Sequence, residues 1–306
     1  MLRYSVVICT LDRPDDLKRC FDSWLQQDPP AKEIIIIHGG RDDALGETVK
    51  GWASGSGISV KYVRMAPSLV RQRNAGIDNA EGDVVFFVDD DAEYMPGYAR
   101  AVLDVYEADR EGIIGGVQGT IQDFEGPIAS KWGLSRLFML PRLGKGRLQR
   151  SAWPALYRPN GHNAQVEVFS GPAMSYRREV LREFRFDEAL SKYWVGDDFE
   201  MAYRASRKYK LMQSADARLY HYSSPLGRDS ARRHAKMAVV NHFYLIRKCF
   251  GDCWQSRMWW AWSELGFALI GALWIVAGRG PGRLLGIVDG YRELYGARAK
   301  SDAIRS

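Results

Sequence analysis

The sequence predicts an α/β protein built on a doubly wound, mostly parallel sheet, and three observations carry that reading. Two apolar runs, Ile34 to Ile37 and Val84 to Val88, are too short for helices and read as strands buried on both faces. Helical patterns stand between strand-like runs with short links, as parallel crossover connections require. The second run leads straight into three carboxylates, Asp89, Asp90 and Asp91, at the carboxyl end of a strand, where open α/β sheets place their ligand crevices.

The elements follow in order. Tyr4 to Cys9 is a short apolar strand, ending in Thr10-Leu11-Asp12-Arg13-Pro14. Pro14 suits a first helical turn, with Asp15 and Asp16 at the positive end of the helix dipole. Leu17, Cys20, Phe21, Trp24 and Leu25 form an apolar stripe that runs to about Gln27. The Ile34–Ile37 strand ends at His38-Gly39-Gly40; residues 42 to 54 read as a helix and Ile58 to Val63 as a third strand. Ser68 is placed to cap a helix through Asn79, which turns at Ala80 to Asp83 into the Val84 strand. A helix opens at Pro96 and Tyr98 and runs to about Ala108, and Gly115 to Ile121 is a strand. Residues 126 to 166 hold seven Lys and Arg, four Pro and no acid, and read as a basic, mobile loop beside a site for anionic substrates.

Composition narrows the function. The 306 residues, 46% of them hydrophobic, suffice for one large core with an appended region. No G-x-G-x-x-G and no Walker loop follows the first strand, which disfavours dinucleotide oxidoreductases and P-loop enzymes. Cys9, Cys20, Cys249 and Cys253 show no metal-type pairing; buried reduced thiols in a cytosolic compartment are expected. The first residues lead directly into a strand, so no secretory signal is expected. Like charges as close as the acid triplet repel one another unless a cation or a set of donors holds them. A hard divalent ion with oxygen ligands is the economical partner, and a solvated acidic turn is the alternative.

The neighbouring motifs decide between the two. Ile8 to Arg13, Arg73-Asn74-Ala75-Gly76, the acid triplet, Phe169-Ser170-Gly171-Pro172-Ala173-Met174 and Gly196-Asp197-Asp198-Phe199-Glu200 follow one another in an order that resembles the family 2 inverting glycosyltransferases of the GT-A fold, over roughly residues 4 to 222. The resemblance implies a Rossmann-like, mostly parallel central sheet flanked by helices, with a helical C-terminal extension. It implies that Asp91 binds Mn²⁺ or Mg²⁺, with His221 a further metal or diphosphate contact, and that Asp89 and Asp90 face the ribose and diphosphate. Thr10, Asp12, Arg13 and Arg73 match nucleoside and phosphate contacts, Gly171 and Asp197 belong to the same pocket, and Asp198 is the base. His38 stands where relatives carry an acid that reads the nucleotide base, so Asp42 or Asp43 takes over or base recognition differs. The pair Asp197-Asp198 replaces a Glu-Asp pair. His162, His234 and His242 are expected to be ordinary surface or core residues.

The implied activity is transfer of a sugar from a nucleoside-diphosphate sugar, UDP- or dTDP-linked, to a glycan or lipid-linked saccharide. Two rivals stand beside it: a sugar-nucleotide nucleotidyltransferase, and a non-catalytic protein binding membrane or polyanion on a degenerate transferase fold. The boundary is expected near residue 224, with a catalytic domain before it and a helical region from 225 to 306 after it. From Pro225 on the chain carries a net charge of +7, against −1 before it, and five of the ten Trp lie between Trp254 and Trp274. Arg228 to Phe250 reads as a helix. Leu265 to Gly278 is a 14-residue charge-free stretch, short of the roughly 20 residues of a span, with Glu264 just before it. Indoles flanked by Arg favour a helix lying on anionic lipid over one packed in a dimer or one crossing the bilayer. That places the protein in the cytoplasm, peripherally on the inner face of the cell membrane, with no nucleic-acid partner and with a dimer open.

Overall fold

The computed structural model describes residues 1–40, 44–122, 124, 133–157, 159–190, 196–222 and 230–305, leaving aside the side chains from 297 on. The chain divides into two compact units, Met1–Glu125 with Tyr157–Gly227, and Gly126–Leu156 with Arg228–Ser306. Segment 126–156 therefore groups with the C-terminal helices, where the sequence reading placed it in the catalytic domain.

The first unit begins β1 (Tyr4–Thr10), α1 (Pro14–Leu25), β2 (Glu33–His38), α2 (Ala44–Ala53), β3 (Ser59–Arg64), α3 (Leu69–Asn79), β4 (Val84–Asp89), β5 (Ala92–Tyr94), α4 (Tyr98–Glu107) and β6 (Ile114–Ile121). The second unit then takes a short helix α5 (Leu134–Leu137) and the strands β7 (Arg142–Gly144), β8 (Arg147–Leu148) and β9 (Pro154–Tyr157). The chain returns to the first unit with β10 (Ala164–Val166), β11 (Met174–Arg177), α6 (Arg178–Glu183), α7 (Asp197–Ser206) and β12 (Lys210–His221).

The main sheet has the order β10-β12-β6-β11-β4-β1-β2-β3, with β5 paired to β12. Strands β3, β2, β1 and β4 are parallel, as the apolar runs and their crossover helices dictate. Strand β11 runs antiparallel between β4 and β6, so the sheet is mixed. It is reached through a short 3₁₀ turn, Gly171–Ala173, and not through a crossover helix, so the parallel constraint does not apply to it.

Register sets the site. Pairing of Thr10 with His38 and of Cys9 with Asp89 brings the carboxyl ends of β1, β2 and β4 to one edge. Pairing of His221 with Ala92 brings the end of β12 beside the acid triplet. Beneath that edge, Trp24 is fully buried and meets the rings of Tyr94, Phe86 and Tyr98 at centroid distances of 4.7, 5.3 and 5.8 Å. Helix α3, capped by the Ser68 hydroxyl, packs so closely on β1 that a Cβ at Gly76 would lie 2.2 Å from Val7 Cγ1. That close approach is what the glycine of the Arg73-Asn74-Ala75-Gly76 motif permits.

The second unit corrects the expectation of a loop without regular structure. Its strands form a three-stranded sheet, β7-β9-β8. Side chains supply what short strands lack: Gln149 Nε2 donates to the Leu140 carbonyl at 3.0 Å and Ser151 Oγ to that of Met139 at 2.6 Å. Phe138 and Leu140 then pack against Ile270. Ile270 lies on α9 (Trp254–Val276), which stands between α8 (Ala231–Phe250) and α10 (Gly282–Arg305) in the chain. Glu264, the charge that interrupts the apolar stretch, is buried; it meets His242 Nδ1 at 2.7 Å and accepts from the Tyr291 hydroxyl at 3.4 Å. Two cysteines depart from expectation. Cys9 and Cys20 are buried, but Cys253 is exposed and Cys249 half-buried, because Gly251 ends α8 between them.

Candidate active site

The acid triplet splits three ways because strand β4 ends inside it. Asp90, on the turn that follows, is fully buried; it accepts from Thr10 Oγ1 at 2.6 Å and is ion-paired to Arg13 Nη2 at 2.6 Å. Burial pushes its carboxyl up to about 7, against the pull of Arg13 and Thr10. Asp91 faces His221 Nε2 at 3.0 Å and Arg13 Nη1 at 3.4 Å. Asp89, at the strand end, faces Arg73 Nη2 at 3.4 Å and His221 Nε2 at 3.9 Å. Asp89, Asp91 and His221 each present one ligand atom, all within 4.8 Å of one another. Two carboxylates and one imidazole at that spacing suit a divalent cation of the Mn²⁺ type. Asp89 therefore groups with Asp91 and His221, while Asp90 turns inward as a lock between the β1 and β4 ends.

A second acidic pair approaches from α7. Gly196, at a φ of 99°, turns the chain into the helix and leaves Asp197 and Asp198 in its first turn. Asp197 is buried and ion-paired to Arg73 Nη1. Burial alone would lower the Arg73 guanidinium, but Asp197 and Asp89 more than offset it, so Arg73 stays charged. One buried cation thus ties the acid triplet to the head of α7. Asp198 accepts from the backbone N–H of Phe199 at 2.8 Å and from that of Gly171 at 2.9 Å. Burial and the neighbouring Asp197 push its carboxyl up to about 6, opposed by Arg73 and the two N–H donors. A Cβ placed on Gly171 would meet Arg73 Nη2 at 2.9 Å, Asp198 Oδ2 at 3.7 Å and Asp89 Oδ2 at 3.8 Å. Gly171 is therefore the floor on which both acidic groups and the arginine converge.

At the β1–β2 end a third group forms. His38 is fully buried; its Nε2 lies 2.9 Å from Asp12 Oδ1 and its Nδ1 2.7 Å from the Tyr62 hydroxyl. Asp12 adopts a φ of 49°, held on one side by this contact. A Cβ on Gly40 would stand 1.9 Å from Asp12 Oδ1 and 2.0 Å from His38 Nε2, so the contact requires glycine there. Gln72 clamps the same edge by donating to the carbonyls of Ile37 at 2.8 Å and Thr10 at 3.1 Å. Tyr62 and Gln72 escaped the sequence reading. Gln72 stands next to Arg73, and Tyr62 alternates toward the sheet end on β3, but neither residue type signals a role by itself. Asp42 and Asp43 lie outside the described residues.

An acidic, arginine-bridged centre at the carboxyl edge of this mixed sheet, with a carboxylate at a helix start facing it, defines a glycosyltransferase of the GT-A fold. The model for the family described as glycosyl transferase family 2 matches residues 5–185, and the chain belongs to that family. The uncharacterized glycosyltransferase YwdF of Bacillus subtilis is 26% identical over 236 residues, covering 74% of this chain and 76% of its own. The uncharacterized glycosyltransferase YibD of Escherichia coli K12 is 36% identical over 95 residues, 31% of this chain and 27% of its own. Among solved structures, GalNAc-T7 with UDP, GalNAc and Mn²⁺ superposes with a TM-score of 0.59 at 18% identity, covering 78% of this chain and 48% of that one. The mannosyltransferase PcManGT of Pyrobaculum calidifontis, with GDP-Man and Mn²⁺, gives 0.57 at 16% identity over 96% of this chain and 88% of that one. At these identities the structural matches establish the fold, and the chain spans under half of GalNAc-T7.

Proposed function

We propose that the chain is a metal-dependent, inverting hexosyltransferase that takes its sugar from a nucleoside diphosphate, UDP or dTDP first, and passes it to a glycan or lipid-linked saccharide at the cytoplasmic face of the membrane. The observation that carries this reading is the convergence at Gly171 of Asp198, Arg73 and Asp89 around one point. It joins a proton acceptor to a cluster that suits a metal and diphosphate, as a displacement at an anomeric carbon demands. Asp89, Asp91 and His221 would hold Mn²⁺ or Mg²⁺, which would neutralise charge on the departing diphosphate. The presence of Mn²⁺ in the GalNAc-T7 and PcManGT structures supports that assignment.

The chain's own residues carry the rest. Asp198, aimed by the N–H groups of Gly171 and Phe199, takes the acceptor hydroxyl's proton as the new bond forms. A carboxyl near 6 is charged at neutral pH yet more basic than an exposed aspartate. Arg73 keeps the two acidic groups in register. No covalent nucleophile is needed, so one displacement inverts the anomeric centre. Thr10 and Arg13 act by fixing Asp90 and the loop beside it, and the nucleoside sits against Asp12, which His38 holds from beneath. All these residues belong to the first unit, which we take as the catalytic domain. A nucleotidyltransferase or a non-catalytic binder gains nothing from a base held in this way.

The test is a thermal-shift panel of UDP, dTDP, GDP and their sugar conjugates with and without Mn²⁺, followed by the anomeric configuration of the product by NMR. Stabilisation by one nucleotide in Mn²⁺ alone and an inverted product are expected. A retained configuration would overturn the single displacement.

A further inference from the structure

We infer that the outer face of α9 is a contact surface for an anionic lipid bilayer and lies in the plane of the membrane. This deepens the membrane location proposed above, but it stands on a different part of the chain from the transfer site.

Helix α9 has two faces of opposite fate. Ser256, Trp260, Ser263, Glu264, Gly266, Ile270 and Gly271 are buried within the second unit. On the other side Met258, Trp262, Leu265, Leu269, Leu273 and Val276 are between 37% and 87% exposed. Their spacing of three and four residues puts them in one stripe. The positions between them on that face, Ala261, Ala268 and Ala272, are small and apolar, so no charge breaks the stripe over ~27 Å of helix. Water faces few apolar surfaces of that continuity on a soluble protein without a partner.

Charge selects the partner. The second unit carries 19 Lys and Arg against 6 Asp and Glu, a net of +13, which leaves the first unit at −7. Two copies joined through α9 would bring like charge to like charge, whereas an acidic headgroup layer complements it. Trp254, two-thirds exposed, begins the helix, and Arg279 stands over the Trp274 ring at 5.0 Å near its end. An exposed indole at one end and a guanidinium at the other suit the headgroup boundary.

The helix lies on the membrane and does not cross it, although by length and composition it could. Its packing partners forbid a crossing. Helices α8 and α10 carry the ion pairs Arg232–Asp289 at 2.6 Å and Lys236–Glu293 at 2.6 Å, and α9 itself buries Glu264 against His242. A crossing with this unit intact would take those charges into hydrocarbon.

The experiment is cosedimentation of the full chain with phosphatidylcholine vesicles containing about 30% phosphatidylglycerol, beside pure phosphatidylcholine. The wild type should pellet with the anionic vesicles and more weakly with the neutral ones. The triple variant Leu265→Ser, Leu269→Ser, Leu273→Ser should lose roughly tenfold or more in partitioning. Its melting temperature and its Mn²⁺-dependent nucleotide binding should be unchanged, so that failure of this surface and failure of the transfer site are told apart. In cells, alkaline carbonate should release the protein from the membrane fraction. Equal pelleting of the variant, or a wild type that stays in solution, would overturn the inference. So would carbonate resistance, which marks a crossing, or a dimer by light scattering that the triple variant dissolves, which marks a second copy as the occupant.

Discussion

Asp198→Asn removes the proton acceptor while leaving shape almost untouched, and its consequences can be worked from the contacts. Asp198 accepts two backbone N–H groups, from Phe199 and Gly171. Asparagine has one carbonyl oxygen, so one N–H loses its partner, a cost of about 1–3 kcal/mol. Against this, burial and the neighbouring Asp197 make the charged carboxylate costly to hold, and the amide escapes that cost. The two effects oppose one another, so the variant should stay folded. Transfer is another matter. Loss of a positioned base should lower turnover by about 10²–10⁴. Nucleotide affinity in Mn²⁺ should stay within about threefold, because the Asp89, Asp91 and His221 cluster is unchanged. The assay is release of nucleoside diphosphate from the donor that the nucleotide panel selects, with its acceptor, beside calorimetric titration of the free nucleotide. Full turnover in the folded variant would refute the base assignment; loss of affinity without loss of turnover would make Asp198 a binding group instead.

Three further outcomes follow from the same contacts. Because burial and Asp197 raise Asp198, its charged form is complete only above about 6, so turnover should fall about tenfold per pH unit below that value while donor affinity changes less; a flat profile between pH 5 and pH 8 would contradict this. Gly171→Ala would place a methyl 2.9 Å from Arg73 Nη2, and since Asp197 and Asp89 pin Arg73, turnover should drop about tenfold or more with the fold retained by circular dichroism. Trp24→Ala empties the centre of the ring cluster beneath the site and should cost about 3–5 kcal/mol in denaturant unfolding.

The sequence shows most plainly what local patterns encode. Ile34 to Ile37 and Val84 to Val88 are strands because nothing else can be done with such runs, and Ser68 caps α3 because its hydroxyl accepts from Arg71. Features fixed by tertiary partners are hidden. Strand β11 is four residues, Met-Ser-Tyr-Arg, with no periodicity to announce that it enters antiparallel between β4 and β6. Strand β12 is twelve residues long, but its register shifts between Gln213 and Arg218 and blurs the alternation that would announce it. The strands between Arg142 and Tyr157 exist through Gln149 and Ser151 side-chain bonds, which no propensity records. Glu264 looks like a break in an apolar helix until His242 stands against it.

The site divides in the same way. Motif order points to the acid triplet, Arg73, Asp198 and His221, but not to how three adjacent aspartates divide their work. That depends on where β4 stops: Asp89 still points with the strand, toward His221 and Arg73, while Asp90 folds under to Thr10 and Arg13. Likewise the replacement of an acid by His38 is visible, but its grip on Asp12 and Tyr62 needs β1, β2 and β3 in register.

The most direct test of the central claim is the affinity of UDP, or of the nucleoside diphosphate the panel selects, with and without Mn²⁺, for the wild type and for Asp91→Asn. The wild type should bind at least about tenfold more tightly with Mn²⁺, and Asp91→Asn should lose that gain while its metal-free affinity stays the same or rises, since a negative charge facing the diphosphate is gone. Binding that ignores Mn²⁺ in the wild type, or keeps its full metal dependence without the Asp91 carboxylate, would contradict a metal–diphosphate site at the end of β4.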